Sequence, residues 1–284
     1  MRRFADILAL AAKRQGGAPA LEKILAPTAS RSPAEIAVIP DDRILAEMTR
    51  RIFYAGFSSK VVDEKWPAFE TGFEGFDPNA CAFMSEEQFD KLMQDRGIVR
   101  NGAKIRSVQI NAQFLLDLKA EYGSSARFFA DWPEADYAGL LDVLKKRASH
   151  LGGDAAGRFL RAIGKPAFIA TPDVVAALIR EGVVARSPSS KRDLAAVQAA
   201  FNQWSNESGR DLTAISRILA MSVESGGAMP PGGHAAAITY DRRSSPYSEP
   251  ARSGFTVVPS RLPSVTGRAR MAQSRPGSRR GMGC

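Results

Sequence analysis

Apolar residues recur every three or four positions along most of this chain, and this periodicity restricts the fold before any motif is considered. The segment DDRILAEMTRRIFYAGF spaces Ile44, Met48, Ile52 and Ala55 at such intervals, which builds one buried helical stripe. Helix-start signals accompany the pattern, such as Ser85 followed by two glutamates. We find no convincing run of alternating apolar and polar residues. The pattern therefore predicts an all-α protein.

Residues 225–284 differ in composition from the rest of the chain. They are rich in Gly, Pro and Ser and hold nine arginines against Asp241 and Glu249, so that +7 of the total formal charge of +9 lies there. Large apolar residues are too few in this segment to offset the entropy of folding. We expect a disordered basic tail, which is either a solvated extension or a sequence-independent tether for nucleic acid.

The chain divides by these criteria into an N-terminal helix and connector (1–40), a helical domain (41–224) and the tail. The apolar runs are far shorter than the roughly 20 residues that cross a bilayer, so no membrane association is expected. Cys81 and Cys284 are the only cysteines, which fits a reducing compartment. With only two histidines besides, the composition predicts no structural metal site. We also expect no cofactor and a cytoplasmic monomer.

The segment QDRGIVRNGAKIRSVQINA places two glycines among three cations, directly before an apolar-periodic helix. Glycine corners let backbone N–H groups point outward, and the helix that follows offers the positive end of its dipole. This arrangement suits a phosphate oxygen. We therefore predict that the corner binds DNA through Arg96, Gly97, Arg100, Gly102 and Lys104.

A second corner at Gly152 and Gly153 joins two further helical patterns. The chain thus contains two helix–hairpin–helix units, at residues 86–119 and 139–164. Each is also compatible with a plain helical hairpin that binds nothing. The DNA-binding interpretation adds Gly152 and Gly153 to the predicted phosphate contacts.

Four motifs follow one another in the order DDRILAEM, YAGFSS, FETGFEGFDP and DRGIVRNGAKIRSVQINA. This order resembles the type I 3-methyladenine DNA glycosylases, whose pattern is DDR-x-LFEM, QAGLSW, F-x-x-F-x-x-FDP and D-x-GIIRN-x-x-KI-x-A-x-x-NA. The resemblance covers residues 41–112 and, more weakly, 140–184. It implies an all-α helix–hairpin–helix glycosylase fold, in which a damaged base is flipped into a pocket between helical lobes.

The chain departs from the family's pattern at several positions. The family's N-terminal CGW and YHD-x-EWG are missing, and Val174 stands where its NDHV histidine would be, which implies loss of the family's structural zinc. The family's acidic residue falls at Arg51. Tyr54 occupies the position of the motif's glutamine, and Ser59 that of its tryptophan. The resemblance therefore implies a rebuilt base pocket.

Two carboxylates are candidates for the catalytic role. Glu47 lies about one turn from the family's acidic position, and Asp173 matches the aspartate of NDHV. Either can stabilise an oxocarbenium ion or orient water. The competing interpretations are an exposed helix residue for Glu47 and a helix N-terminal charge for Asp173. For the base pocket we predict Tyr54, Phe53 and Ser59, although aromatic residues at helical spacing also pack in cores.

The sequence therefore favours a DNA-3-methyladenine glycosylase I-like hydrolase that acts on alkylated purines in double-stranded DNA during base excision repair. No lysine occupies a recognisable Schiff-base position, so lyase activity is not expected. The alternative is a non-catalytic DNA-binding relative that has lost the chemistry. A third hypothesis makes the basic tail the working part of the chain.

Overall fold

A computed structural model describes residues 1–224 of the chain. This part contains fifteen α-helices joined by loops and short 3-10 turns, and no strand occurs within it. The prediction of an all-α protein is confirmed. No helix in residues 1–224 combines the length and apolar character needed to span a bilayer. The predicted tail, at 225–284, lies outside the described residues.

The helices vary from five to 21 residues in length. Their bounds are α1 Phe4–Arg14, α2 Ala18–Leu25, α3 Pro33–Ala37, α4 Asp41–Tyr54, α5 Ser59–Glu64, α6 Trp66–Gly72, α7 Pro78–Ala82, α8 Glu86–Gln94, α9 Gly102–Tyr122, α10 Ser125–Asp131, α11 Tyr137–Arg147, α12 Asp154–Ala162, α13 Pro172–Arg180, α14 Lys191–Ser208 and α15 Leu212–Met221. The two predicted helix–loop–helix units correspond to α8 with α9 and to α11 with α12.

Side-chain caps fix several of these helix starts. The Ser85 side chain accepts the backbone N–H of Gln88, and the Gln88 side chain in turn accepts the Ser85 N–H, which forms a capping box at α8. The Thr171 hydroxyl caps α13, and Ser190 forms a second capping box at α14. These starts agree with the sequence signals.

The N-terminal helix packs into the same core as the rest of the described chain. Phe4 and Ile7 of α1 are fully buried, and α1 lies against α14 and α15. The backbone N–H of Phe4 donates to the Glu207 carboxylate at 2.6 Å, and the Trp204 indole N–H donates to the Arg2 carbonyl at 3.3 Å. Residues 1–40 therefore share their core with the helical domain.

Helices α4 and α9 pack against each other and carry the site. Ile44, Met48 and Ile52 of α4 are buried, as are Ile105 and Val108 of α9. Apolar residues at intervals of three and four place one stripe of each helix in the shared core. This packing leaves the C-terminal end of α4 beside the loop that precedes α9.

An ion pair holds α4 against α6. Arg43 donates from both terminal nitrogens to the two carboxylate oxygens of Glu70, each at 2.9 Å, and also to the Gly75 carbonyl at 2.7 Å. The Trp66 indole N–H donates to the same carboxylate at 2.8 Å. The hydrogen bonds to Glu70 raise the pKa of Arg43. The DDR motif is therefore explained by packing, because its arginine fixes the orientation of α4.

Candidate functional site

The middle of α4 carries a buried carboxylate. Glu47 is 7% exposed, and its carboxylate pairs with the guanidinium of Arg51 one turn further along the helix. The Arg51 guanidinium lies over the Tyr54 ring, 5.1 Å from its centroid. Glu47 is thus not the exposed helix residue of the competing interpretation. It is a buried carboxylate that pairs with an arginine, and this arginine also contacts Tyr54.

Tyr54 is half-buried at the end of α4. Its hydroxyl donates to the Asp63 carboxylate of α5. Burial and the hydrogen bond to Asp63 raise the pKa of Tyr54 to about 12, so the hydroxyl stays protonated at neutral pH. Ser59, the first residue of α5, is exposed close by in sequence. Tyr54 and Ser59 remain candidates for contacting a base.

Phe53 does not line a pocket, which corrects the prediction made for it. Its side chain is 0% exposed, and its ring packs edge-to-face against Phe69 with centroids 4.8 Å apart. The apolar stripe of α4 directs this ring into the core, where it buries more area than a position facing DNA would allow. The Trp66 ring also packs within the protein, because it stacks on Phe69 and Phe76.

Two arginines lie in the last two turns of α4. Arg50 lies over the Trp66 ring at 4.1 Å from the centroid, and its only carboxylate contact among the described residues is Asp63 at 4.0 Å. The Nε atoms of Arg50 and Arg51 are buried without a hydrogen-bond partner in the described part of the chain. The C-terminal part of α4 therefore offers hydrogen-bond donors next to the ion pair of Glu47 with Arg51.

The first glycine corner uses most of its polar groups internally. The Gly97 N–H donates to Asp95 Oδ1 at 2.6 Å, and Lys65 Nζ donates to the Arg96 carbonyl at 2.6 Å. A Cβ at Gly97 would lie 3.0 Å from Ala68 Cβ, so glycine permits close packing there. The Asn101 side chain caps α9 by accepting the Lys104 N–H. Of the two glycine amides at this corner, that of Gly102 has no partner among the described residues.

Lys104 is engaged by the protein itself, which corrects its predicted role as a phosphate ligand. Its ammonium donates to the carbonyls of Ile52, at 2.8 Å, and of Ala55. It also lies 4.7 Å from the centroid of the Phe57 ring. Burial lowers its pKa. Lys104 thus satisfies the free carbonyls at the end of α4, where a helix favours a cation.

Three cations near the corners remain open to solvent. The side chains of Arg96 and Arg100 are exposed and have no hydrogen bond or ion pair within residues 1–224. Lys145, near the end of α11, is likewise exposed and unpaired among the described residues. The sequence analysis did not include Lys145 among the predicted DNA contacts, although three consecutive basic residues end α11 and could have indicated it.

The second glycine corner has open backbone amides. Gly152 and Gly153 are exposed, and no side chain among the described residues caps the start of α12. The N–H groups of Gly152, Gly153 and Asp154 have no hydrogen-bond partner in the described part of the chain. Gly153 adopts φ 57° and ψ −134°, a conformation open essentially to glycine alone. This corner has the free donors that an anion needs.

Asn111 links the two corners, and sequence reasoning did not identify it. Its side-chain nitrogen donates to the Ser149 carbonyl at 3.1 Å, and its side-chain oxygen accepts the Ser149 N–H at 2.7 Å. Asn111 lies nine residues after Gly102 on α9, or about 14 Å along the helix. The second corner is therefore held beside the middle of the helix that the first corner begins.

The second candidate carboxylate, Asp173, lies in the first turn of α13 and is partly exposed. Within residues 1–224, no hydrogen bond or ion pair joins it to Glu47 or Tyr54. The described residues also contain no group of three or more His, Cys, Asp or Glu side chains placed to hold a metal ion.

A family model described as methyladenine glycosylase matches residues 37–139 of the chain. A curated relative, DNA-3-methyladenine glycosylase 1 of Escherichia coli (strain K12), is 37% identical over 65 residues, which are 23% of this chain. The chain spans 35% of the length of that relative. The matched segment contains α4, the first corner and Asn111. These matches confirm the resemblance deduced from the motifs.

Two solved structures are similar to parts of the chain. A crystal structure of a 3-methyladenine DNA glycosylase I is 26% identical with a TM-score of 0.38, over 43% of this chain and 78% of the other. The 3-methyladenine DNA glycosylase I from Staphylococcus aureus, in a structure that describes 3-methyladenine recognition, is 24% identical with a TM-score of 0.40, over 43% of this chain and 76% of the other.

Proposed function

We propose that this chain, in which residues 37–139 belong to the methyladenine glycosylase family, is a DNA glycosylase. It hydrolyses the N-glycosidic bond of alkylated purines, with 3-methyladenine as the substrate class that its relatives' names indicate. The observation that carries the proposal is the buried Glu47 in the middle of α4, within the segment that matches the family.

Hydrolysis of the glycosidic bond of an N3-alkylated purine needs little acid catalysis from the protein. Alkylation at N3 gives the purine a positive charge, so the base leaves as a neutral molecule and the remaining sugar develops positive charge. A carboxylate stabilises that oxocarbenium-like centre or orients the attacking water. Glu47 has this role in the proposal, and its ion pair with Arg51 fixes the position of the carboxylate. The flipped base stacks on Tyr54, next to Ser59.

The glycine corners hold the duplex in this proposal. The open amides of Gly152 and Gly153 bind one phosphate, with the Gly102 amide as the matching donor on the first corner. Arg96 and Arg100 supply the accompanying positive charge because no residue among 1–224 pairs with them. The two hydrogen bonds between Asn111 and Ser149 fix the distance between the glycine corners, so that one DNA strand contacts both.

Release of free base from alkylated DNA tests the proposal directly. Duplex DNA treated with a methylating agent is incubated with the full-length protein, and the supernatant is separated by chromatography. We expect free 3-methyladenine at a rate above that of spontaneous loss. A protein that binds this DNA tightly and frees no base would overturn the proposal.

One observation favours a second candidate, a DNA-binding relative without activity. Arg51, at the family's acidic position, pairs with the nearest buried carboxylate and neutralises it. A site of this kind can recognise DNA and leave the glycosidic bond intact. Tight binding without base release, together with protection of alkylated sites from other glycosylases, is the outcome that this candidate predicts.

We also infer that the protein acts as a monomer on double-stranded DNA in the bacterial cytoplasm, at the nucleoid. Gel filtration with and without duplex DNA tests the oligomeric state.

Deletion of residues 225–284 tests the hypothesis that the tail tethers nucleic acid. Nine arginines near phosphates would make DNA affinity depend more steeply on salt concentration, so the deletion should reduce that dependence.

A further inference from the structure

Two arginines in the second half of α12 and one arginine of α15 form a cluster of positive charge. Arg158 and Arg161 are three residues apart on α12 and so lie on neighbouring positions of one helix face. Arg217 comes from α15 and donates to the Ile24 carbonyl at 3.2 Å. The site proposed above for DNA and base uses none of these side chains.

Arg161 has a buried donor with no acceptor. Its Nε donates to the Ala167 carbonyl at 2.9 Å, but its Nη2 is buried and has no hydrogen-bond partner in the described part of the chain. A buried donor of a charged group without an acceptor destabilises the folded protein. The protein therefore carries an unsatisfied guanidinium at a position where an incoming acceptor would relieve this cost.

Nearby acceptors are already used. The Phe168 carbonyl accepts the Tyr137 hydroxyl at 3.0 Å, and Asp211 Oδ1 accepts the Ala214 N–H at 2.7 Å, which caps α15. Within residues 1–224, the one ion pair of Asp154 is with Arg158, at 4.0 Å. Burial lowers the pKa of Arg161 to about 10; Tyr137 and Asp211 act against this shift, whereas the charges of Arg217 and Arg158 add to it. The described carboxylates thus leave the cluster with excess positive charge.

We propose that Arg158, Arg161 and Arg217 form a binding site for one phosphate group, separate from the glycine corner. A tetrahedral oxyanion offers several acceptors at once, so it can satisfy Arg161 Nη2 and accept from the exposed Arg158. The phosphate belongs either to a DNA backbone that extends past the corner or to free phosphate. Both sources place the same chemical group against the same guanidinium.

The first arm of the test measures thermal unfolding of the full-length protein in sodium phosphate and in sodium chloride at equal ionic strength. The wild-type protein should gain stability in phosphate, and Arg161→Met should require about tenfold more phosphate or more for the same gain. Arg127→Met is the matched control, because Arg127 is exposed on α10 and makes no side-chain contact within residues 1–224. Phosphate stabilises many proteins by exclusion, and that general effect should survive in the control and in Arg161→Met alike.

The second arm measures affinity for a DNA duplex against salt concentration. If the phosphate is that of DNA, Arg158→Met and Arg161→Met should each lower the salt slope by about one, and free phosphate should compete with the duplex. If the ligand is free phosphate, the salt slopes of DNA binding stay unchanged in both variants, while the stabilisation by phosphate in the unfolding experiment is reduced. Arg158 is exposed, so its variant keeps the test valid should Arg161→Met unfold. If both variants match Arg127→Met in both arms, the site does not exist, whatever the base-release assay shows.

Discussion

Asn111 and Ser149 are 38 residues apart in sequence and exchange two hydrogen bonds, from side-chain amide to backbone on both sides. Asn111 itself is fully buried. This pair is the direct connection between the middle of α9 and the loop that carries the second glycine corner. This amide side chain therefore helps to fix the position of the corner, together with the buried Leu151 that precedes Gly152.

Replacing this amide should loosen the corner. In Asn111→Leu the Ser149 N–H and carbonyl lose their partners, which should lower the free energy of unfolding by about 1–3 kcal/mol and weaken binding to duplex DNA. Urea unfolding and fluorescence anisotropy measure the two effects. Gln113→Leu is the control, since Gln113 is exposed on the same helix and bonds only Asp117 among the described residues. Equal behaviour of the two variants would contradict the role given to Asn111.

Two adjacent glycines allow a matched test of backbone conformation. Gly153→Ala forces a side chain into φ 57° and ψ −134°, and it should cost about 1–3 kcal/mol or displace the open amides. Gly152→Ala meets no atom within 4 Å and lacks a positive φ, so it should be tolerated. Differential scanning calorimetry and DNA affinity distinguish the two. The prediction fails if Gly152→Ala weakens DNA binding as much as Gly153→Ala does.

Removal of the Glu47 carboxylate should separate binding from chemistry. We expect Glu47→Gln to lower the rate of base release by about 100-fold or more while DNA affinity changes little. Single-turnover release of 3-methyladenine is the measurement. Glu87→Gln serves as the control, because Glu87 also pairs with a cation one turn later, Lys91, but on an exposed surface. Asp173→Asn tests the second candidate, and a greater loss of rate there would transfer the catalytic role to Asp173.

Lys104 and Arg96 should respond differently to loss of charge. Lys104→Met removes the donor for the Ile52 and Ala55 carbonyls, so it should destabilise the fold by about 1–3 kcal/mol. Arg96→Met breaks no side-chain contact within residues 1–224 and should leave stability unchanged. Arg96→Met should instead lower the salt slope of DNA binding by about one. An unchanged slope in Arg96→Met would remove Arg96 from the proposed interface.

Cys81 should make stability depend on pH in the alkaline range. Burial raises the pKa of its thiol from 9.0 to about 12, so the folded state holds the proton more tightly than the unfolded state does. This contribution is complete below pH 9.0 and is lost as pH rises towards about 12. Urea unfolding across this range should show a shallower decline in Cys81→Ala. Identical declines in the two proteins would show that the thiol is not buried.

Several helices were predictable from sequence because their starts carry a local signal, such as the capping boxes of Ser85 and Ser190. The resemblance over residues 41–112 was predictable because the motifs there follow one another at the same spacing as in the glycosylase pattern. Residue roles were harder to predict. Periodicity could not show that Phe53 packs into the core or that Lys104 caps α4, because both depend on which helix lies opposite. Asn111 was missed for the same reason, since its partner is distant in sequence.

The contact of α1 with α14 and α15 has a consequence for synthesis on the ribosome. Phe4 and Ile7, on the apolar face of α1, are made about two hundred residues before Trp204 and Glu207. Until then α1 has its neighbour α2 but lacks its partners on α14 and α15, so part of its apolar face stays exposed while the intervening residues are translated. Final docking of α1 is therefore a late, long-range step, and it should slow folding and favour capture by a chaperone in the meantime.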